Sequence, residues 1–362
     1  MIRGIDIENF RCFHKTHIEG FSQINLIGGQ NNAGKTALLE AILLANSPHS
    51  QSIIFLQQKL RGEYGDALLP ERTWNSLFYN YKKDTEIRIT VTADGSTFGG
   101  RFVCKDTYKK PRIDLEIAPQ DIIKIEDNSS VGEIIQSSLI SYRISPKKIN
   151  PEPAMRINAR KGEKKFGVDG GLPPPIFYTH FVPAGFKQLA EKLAENFERL
   201  LYQGRDKVVL EALQLIDKKI EKIDIVGKKL HLKRQGEIPM PIGMFGDALN
   251  KVVDIVIRIA NNPNCVLLID EIENGIHYTH QHDLWQKLFV LAKEFRVQIF
   301  AVSHSLEMIK AFNETSLREH IGDDIAYFEM FRSQRSNEIV ANSLSEDALA
   351  YAISNKQSFR GE

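Results

Sequence analysis

The chain has 362 residues, of which 42% are hydrophobic and 26% charged, with a formal net charge of +1. This is the composition of a globular protein of one large or two modest domains. It excludes a globally basic nucleic-acid binder, so any such contact must come from a local patch. It also argues against a membrane protein, since no apolar run approaches the ~20 residues of a span.

The opening, "MIRGIDIENFRCF", is charged and strand-like rather than a signal peptide. Cys12, Cys104 and Cys265 are far apart and form no C-x-x-C pair, which predicts reduced thiols and a cytoplasmic location. Residues 1–28 read as three short strands, and the third runs into "GGQNNAGKT". Gly29, Gly34, Lys35 and Thr36 match G-x-x-x-x-G-K-[ST] in full. A β-prone run precedes this loop, and "TALLEAILLA", rich in helix formers, follows it. Such a unit aims backbone N–H groups and a helix N-terminus at an anion. The expected nucleotide-binding residues are therefore Gly29, Gln30, Asn31, Asn32, Ala33, Gly34, Lys35, Thr36 and Ala37. Lys35 would reach the β- and γ-phosphates of ATP, and the Thr36 hydroxyl would hold Mg²⁺.

The P-loop helix is apolar on nearly every side, which places it inside a layered α/β core. Next, "EIRITVTA", "GGRFVCK" and "RIDLEIA" alternate like strands of an antiparallel meander. Residues 145–175 shift to Pro, Gly and Lys and read as a long exposed loop. From Lys147 to Lys165, seven basic residues (Lys147, Lys148, Arg156, Arg160, Lys161, Lys164 and Lys165) stand against Glu152 and Glu163, so a phosphate-backbone contact stands beside the plainer reading of a solvated loop. After it come a β run, "IFYTHFVPA", helical stretches near 186–202 and 206–218, two strands, and a helix from about Gly246 to Ala260.

The last third alternates strand and helix, the pattern of a parallel sheet. "CVLLIDEIENGIHY" is a buried strand whose C-terminal end presents Asp270 and Glu271. Carboxylates at that edge face the ligand crevice. Asp270 suits the Mg²⁺ role of a Walker B aspartate, and Glu271 that of general base toward water. "VQIFAVSHS" is a further buried strand that ends at His304, where a γ-phosphate would be sensed or a water oriented. His277, His280 and His282 invite a zinc reading, but neither H-E-x-x-H nor a Cys pair accompanies them. Asp323 and Asp324 read as a turn before a strand.

Strand–Asp–Glu followed by strand–His resembles the ATP-binding-cassette class of P-loop ATPases rather than kinases or small GTPases. With "IDIENFRCF", "NNAGKTALLEAI" and "DEIENGIH", the chain resembles the RecF/SMC/OLD-type AAA family ATPases over nearly its whole length. That resemblance implies Arg11 near the nucleotide, and Asn274, Gly275 and His277 in a D-loop that contacts a partner subunit. It also implies a signature loop, best met by "PIGMFGDALNK", with Gly246 and Asp247 opening a helix and Phe245 at the usual Ser position. The OLD-like branch often has a "G-D-G" form, so this departure favours that branch. Gln51, Gln57 and Gln58 are Q-loop candidates, with "RTWNSLFYN" as an alternative holder of that position.

No sustained heptads separate Lys35 from Asp270, and only 58 residues follow His304, too few for a TOPRIM domain. The expected fold is α/β, an ABC-type ATPase with an antiparallel N-terminal β subdomain, a parallel P-loop core and a helical insert. The expected division is 1–95, 96–240 and 241–362. Lys35, Thr36, Asp270, Glu271 and His304 would come from one subunit, and Gly246 and the D-loop from another. The partners implied are a second copy in a head-to-tail dimer, or a higher even oligomer, and a separate effector, often a TOPRIM-like nuclease in anti-phage or anti-plasmid defence. A RecF-like DNA clamp is the alternative.

Overall fold

The computed structural model describes residues 1–60, 69–109, 133–145, 148–149, 153–163, 165–171, 174–185 and 190–354. Strands β1 (Ile2–Phe10) and β2 (Phe13–Glu19) form an antiparallel pair, and β3 (Ile24–Gly29) follows. Ile2, Ile5, Ile7 and Phe10 of β1 are buried while Arg3 and Asp6 face out, the signature of a sheet with one wet face. Every residue of β3 is buried, as in a strand covered on both sides. Helix α1 (Lys35–Asn46) comes next, buried at every position except Thr36, with the short α2 (Ser50–Ile54) after it.

The chain then builds β4 (Ile87–Ala93), β5 (Ser96–Lys109), β6 (Glu133–Ser145), β7 (Lys148–Ile149), β8 (Met155–Arg160) and β9 (Gly167–Gly170). They join β1 and β2 in one antiparallel sheet, ordered β2-β1-β4-β5-β6-β8-β9 with β7 on β6. The sheet continues through the boundary expected at residue 95, because Ala93 pairs with Ser96 in the β4–β5 hairpin. The exposed loop expected over 145–175 is corrected in part: β7, β8 and β9 lie within it. Met155, Ile157 and Ala159 are buried in the period-2 rhythm of "MRINAR", a signal that the surrounding Pro, Gly and Lys hide. Arg156 sits opposite Asp169 in the β8–β9 register, and Arg160 lies 3.7 Å from Glu163. Lys147 and Lys164, like the strand expected at "RIDLEIA", fall outside the described residues.

The remainder runs β10 (Thr179–Val182), α3 (Ala190–Tyr202), α4 (Lys207–Ile216), β11 (Ile220–Val226), β12 (Lys229–Arg234), β13 (Met240–Pro241) and α5 (Asp247–Asn261). Then come β14 (Val266–Ile269), α6 (Gln281–Phe295), β15 (Gln298–Val302), α7 (Leu306–Glu319), β16 (Ile325–Arg332), β17 (Ile339–Leu344) and α8 (Glu346–Ser354). The second sheet is ordered β10-β14-β15-β3-β16-β17, parallel except for β17, while β11, β12 and β13 form a small third sheet.

Side-chain alternation divides the interior in two. Val266, Leu268, Phe300 and Val302 point to the core shared with α1 and the antiparallel sheet. Leu267, Ile269, Ile299 and Ala301 point the other way, onto α5, α6 and α7. Helix α1 is thereby clamped between two sheets, which is why it carries apolar residues on nearly every side. The result is a mixed α/β fold with an antiparallel N-terminal sheet and a parallel P-loop core. The C-terminal ends of β3, β14, β15 and β16 share one edge.

Candidate functional site

At that edge β3 delivers the glycine-rich loop. Gly29 has φ of 114°, and a Cβ there would lie 2.1 Å from the Met330 carbonyl oxygen of neighbouring β16. Only glycine fits this junction. The loop enters α1 through Gly34, with no capping side chain and no acid in the first helical turn, so the first amides of α1 stay free for an anion. Buried Lys35 donates from Nζ to the carbonyls of Gly29 at 2.8 Å and Gln30 at 2.6 Å. Burial lowers its pKa to about 8, opposed by Glu273 and then Asp270. Thr36 donates from Oγ1 to both oxygens of Asp270, at 3.1 and 3.0 Å.

Asp270 is held at the end of β14 by its backbone N–H on the Val182 carbonyl, 2.9 Å away. Burial is the main reason its carboxyl is raised to about 6; Glu271 and Glu40 push the same way, and Thr36 and Lys251 push back. A desolvated carboxylate beside a P-loop hydroxyl is a donor set suited to a hard cation such as Mg²⁺, which takes one or two carboxylates and completes its shell from phosphate and water. Glu271 follows in a left-handed conformation, φ 46°, with Oε2 accepting from Asn274 Nδ2 at 2.5 Å. His304 closes the edge beyond β15; its backbone N–H donates to Glu273 Oε1 at 2.7 Å. Burial, and after it the Lys35 charge, lowers the His304 pKa and favours the neutral imidazole.

A cleft of about 780 Å³ opens over the loop, within the range of small-molecule sites. Asn31 to Ala37, Arg11 and His304 line it, as does the segment from Phe78 to Tyr81. Arg11 donates from Nε to buried Glu40 at 2.9 Å and from Nη1 to the Ser76 carbonyl at 2.8 Å. Its Nη2 is buried and has no partner among the described residues. Of the Q-loop candidates, none lines the cleft. Buried Gln57 acts one step removed, donating to the Thr73 carbonyl and accepting from the Ser76 hydroxyl. The alternative segment, "RTWNSLFYN", supplies Ser76, Phe78, Tyr79 and Asn80 to the lining.

Gly246, Asp247, Asn274, Gly275 and His277 do not line this cleft. Asp247, Asn274 and Gly275 border a second cavity of about 310 Å³ together with Lys251. A Cβ on Gly275 would lie 3.1 Å from the Ala248 nitrogen, so the turn at Asn274 and Gly275 packs directly on the N-terminus of α5. Phe245 lies under the Arg234 guanidinium, 4.8 Å from ring centre. His277 is exposed and contacts Thr279. His282 turns instead to Thr315 and Glu314.

Among the groups that sequence reasoning missed, four bear most directly on the site. Arg332 and Asn337 line the cleft from β16 and the turn after it; β16 pairs in parallel with β3, a neighbour that only the fold reveals. Glu273 and Lys251 lie inside "DEIENGIH" and "PIGMFGDALNK" but were passed over, because neither has a role apart from its spatial neighbours. Lys251 on α5 donates to the carbonyls of Glu271 at 2.5 Å and Asp270 at 3.5 Å, and burial lowers its pKa to about 8.

The family model described as an AAA ATPase domain matches residues 1–222. An ATP/GTP phosphatase of Helicobacter pylori is 24% identical over 388 residues that cover all of both chains. An uncharacterised protein of Methanocaldococcus jannaschii is 38% identical over 94 residues, 25% of this chain and 41% of its own. Among solved structures, an SMC head bound to the C-winged helix domain of ScpA superposes with a TM-score of 0.50 at 12% identity, covering 95% of this chain and 98% of its own. That likeness shows a shared fold. The family match spans more than half of the 362 residues and includes the whole phosphate loop with its strand and helix, so the chain belongs to the AAA ATPase domain family and is an ATPase.

Proposed function

We propose that the protein is a nucleotide-gated switch in which two copies close head to tail over two ATP molecules. The observation that carries this reading is the separation of the two half-sites. The P-loop, Arg11 and His304 line one cleft, while the α5 N-terminus and the D-loop turn pack on each other beside another cavity. A helix N-terminus attracts phosphate, and here it would serve the triphosphate held by the other copy. Exposed apolar side chains flank both half-sites: Tyr81 (70% exposed) beside the P-loop cleft, Met244 (73%) just before α5 and Tyr278 (64%) after the D-loop. Such exposure on large side chains supports a surface that is covered when a partner arrives.

In this reading the amides of residues 31–36 and Lys35 bind the phosphates, and Arg11 adds its unpartnered Nη2. Thr36 and Asp270 would hold Mg²⁺, which when bound neutralises developing charge on the phosphates. Glu271 takes the proton of the attacking water, and His304 faces the γ-phosphate end. Hydrolysis then reopens the pair, converting nucleotide state into a signal to a bound protein. By its OLD-like resemblance that protein is a separate effector, such as a TOPRIM-like nuclease of a defence system. The test is sedimentation of Glu271→Gln with ATP and Mg²⁺. It should run as a stable dimer with ATP uncleaved, while Lys35→Ala should stay monomeric and empty. Normal turnover by Glu271→Gln would remove it as the base, and a wild-type chain that stays monomeric at full turnover would end the switch reading. An ATP-dependent, salt-sensitive affinity for DNA ends would point instead to the RecF-like clamp.

A further inference from the structure

Three acids stand in the turn after β14, and only two of them, Asp270 and Glu271, belong to the expected catalytic pair. The third, Glu273, is more tightly committed to the site than its neighbour. Its Oε1 accepts the backbone N–H of His304 at 2.7 Å. Its Oε2 is buried and has no hydrogen-bond donor among the described residues. The turn that carries it is pinned on both sides, by Ile272 N–H on the Val302 carbonyl and by Ile276 N–H on the Glu273 carbonyl, both at 2.9 Å. Glu271, by contrast, has one oxygen engaged by the exposed Asn274.

A desolvated carboxylate oxygen without a donor is costly and persists where nearby cations balance it. Two cations do so, from different elements. Glu273 is the largest attraction holding charge on Lys35, the first residue of α1, and on Lys251 of α5, in each case ahead of Asp270. Lys35 marks the phosphate cleft. Lys251 anchors the backbone of Asp270 and Glu271. One carboxylate therefore ties together the γ-phosphate-facing turn, the P-loop lysine and the helix behind the signature-like turn.

We propose that Glu273 is a positioning residue for ATP hydrolysis, fixing the His304 turn with one oxygen and aligning Lys35 and Lys251 with the charge on the other. A phosphate that draws Lys35 away from the Gly29 and Gln30 carbonyls competes with Glu273 for the same ammonium, so this carboxylate sets where Nζ comes to rest. The inference rests on the ATPase site described above, and the experiment keeps the two apart.

Glu273→Gln retains an acceptor for the His304 N–H but loses the charge, whereas Glu273→Asp retains the charge on a shorter reach. Each is measured for kcat and KM with ATP, for binding of N-methylanthraniloyl-ATP in EDTA, where no turnover occurs, and for melting temperature. Misplacement of reacting groups by a fraction of an ångström to 1 Å costs roughly 10- to 100-fold in rate, and that is the loss of kcat expected for Glu273→Gln. Fluorescent-nucleotide affinity should stay within about threefold and the melting temperature should hold, with Glu273→Asp falling between Gln and wild type. A Glu273→Gln variant that turns over at the wild-type rate overturns the proposal, leaving the carboxylate as a loop tie. Should Glu273→Gln fail to fold, Glu273→Asp decides alone: a reduced kcat at unchanged nucleotide affinity supports the role, and an unchanged kcat ends it. Lys35→Ala is the control for the cleft itself, since nucleotide retained by that variant would undo the site whatever Glu273 does.

Discussion

The two cavities proposed as half-sites are built by the chain in different ways. At the P-loop cleft a single run, Asn31 to Ala37, supplies much of the lining, and the surrounding charges are matched within the chain: Arg11 by buried Glu40, and Lys35 by Glu273 and Asp270. Beside α5 the lining comes from residues 182–185, from Leu193 of α3, from α5 itself and from the turn at Asn274 and Gly275, so it exists only once four segments have met. One continuous run carries the phosphate loop of the first, with Arg11, Ser76, residues 78–81, His304, Arg332 and Asn337 helping to complete its walls, whereas the second has no such run. In the proposed switch the continuous cradle would bind a nucleotide by itself, and the other would contribute when a second copy presents a phosphate to it.

The most severe test of that contrast is complementation. Lys35→Ala disables the cradle, and Met244→Glu puts a carboxylate on an exposed side chain just before the α5 N-terminus without disturbing the core. Each variant alone should hydrolyse almost nothing. Mixed in equal amounts, half of the pairs are hybrids with one intact composite site, so about a quarter of wild-type activity should return. If Met244→Glu alone keeps full activity, the α5 end takes no part in hydrolysis.

Next in size is the cradle's dependence on one glycine. Gly29→Ala forces a Cβ to within 2.1 Å of a backbone oxygen of β16 at a φ that L residues avoid. We expect a loss of several kcal/mol of stability, larger than the ~1 kcal/mol of an ordinary loop Gly→Ala, together with loss of nucleotide binding, read by urea unfolding and by fluorescent-nucleotide titration. At Gly246, where a Cβ meets nothing within 4 Å, only the left-handed φ of 89° resists substitution, and nucleotide binding by the cradle should survive.

What could be read in advance follows the same divide. The strand–loop–helix unit, the Asp270–Glu271 strand end and His304 are local patterns, and local patterns survive in sequence. So did α1, whose apolar faces anticipate burial between two sheets. Residues 155–170 were misjudged because Lys, Pro and Gly dominate the composition while only Met155, Ile157 and Ala159 carry the buried rhythm. Glu273, Lys251 and Arg332 were invisible for another reason. Each gains its meaning from a neighbour 20 or more positions away, and single-chain periodicity carries no trace of such pairings.

A smaller effect distinguishes matched charge from bound charge within the cradle. Lys35 in the free protein loses its proton near pH 8, because burial favours the neutral amine. Phosphate favours the ammonium, so the bound form titrates higher. Below pH 8 both forms carry the proton and affinity is independent of pH through this group. Above it, binding must take up a proton, and the dissociation constant for ATP should rise toward tenfold per pH unit until the bound form titrates as well. Titrations of fluorescent nucleotide between pH 7 and 9.5 would show the break near 8. Lys35→Arg, always protonated, should bind more weakly at every pH yet show no break there.

The smallest expected change concerns the antiparallel sheet, and it separates the switch reading from the DNA clamp. Arg160 is a surface cation 3.7 Å from Glu163, with a further bond to Gln136. Exposed pairs of this kind contribute less than about 1 kcal/mol, so Arg160→Ala should move urea stability by no more than that. Combined with Arg156→Ala, it should leave ATP turnover unchanged if the strand is simply the wet face of a sheet. Should the double variant instead lose a salt-sensitive affinity for DNA, with each removed phosphate contact lowering the slope of log K against log salt by about 0.9, the cations of β8 would be contacts and the clamp would displace the switch.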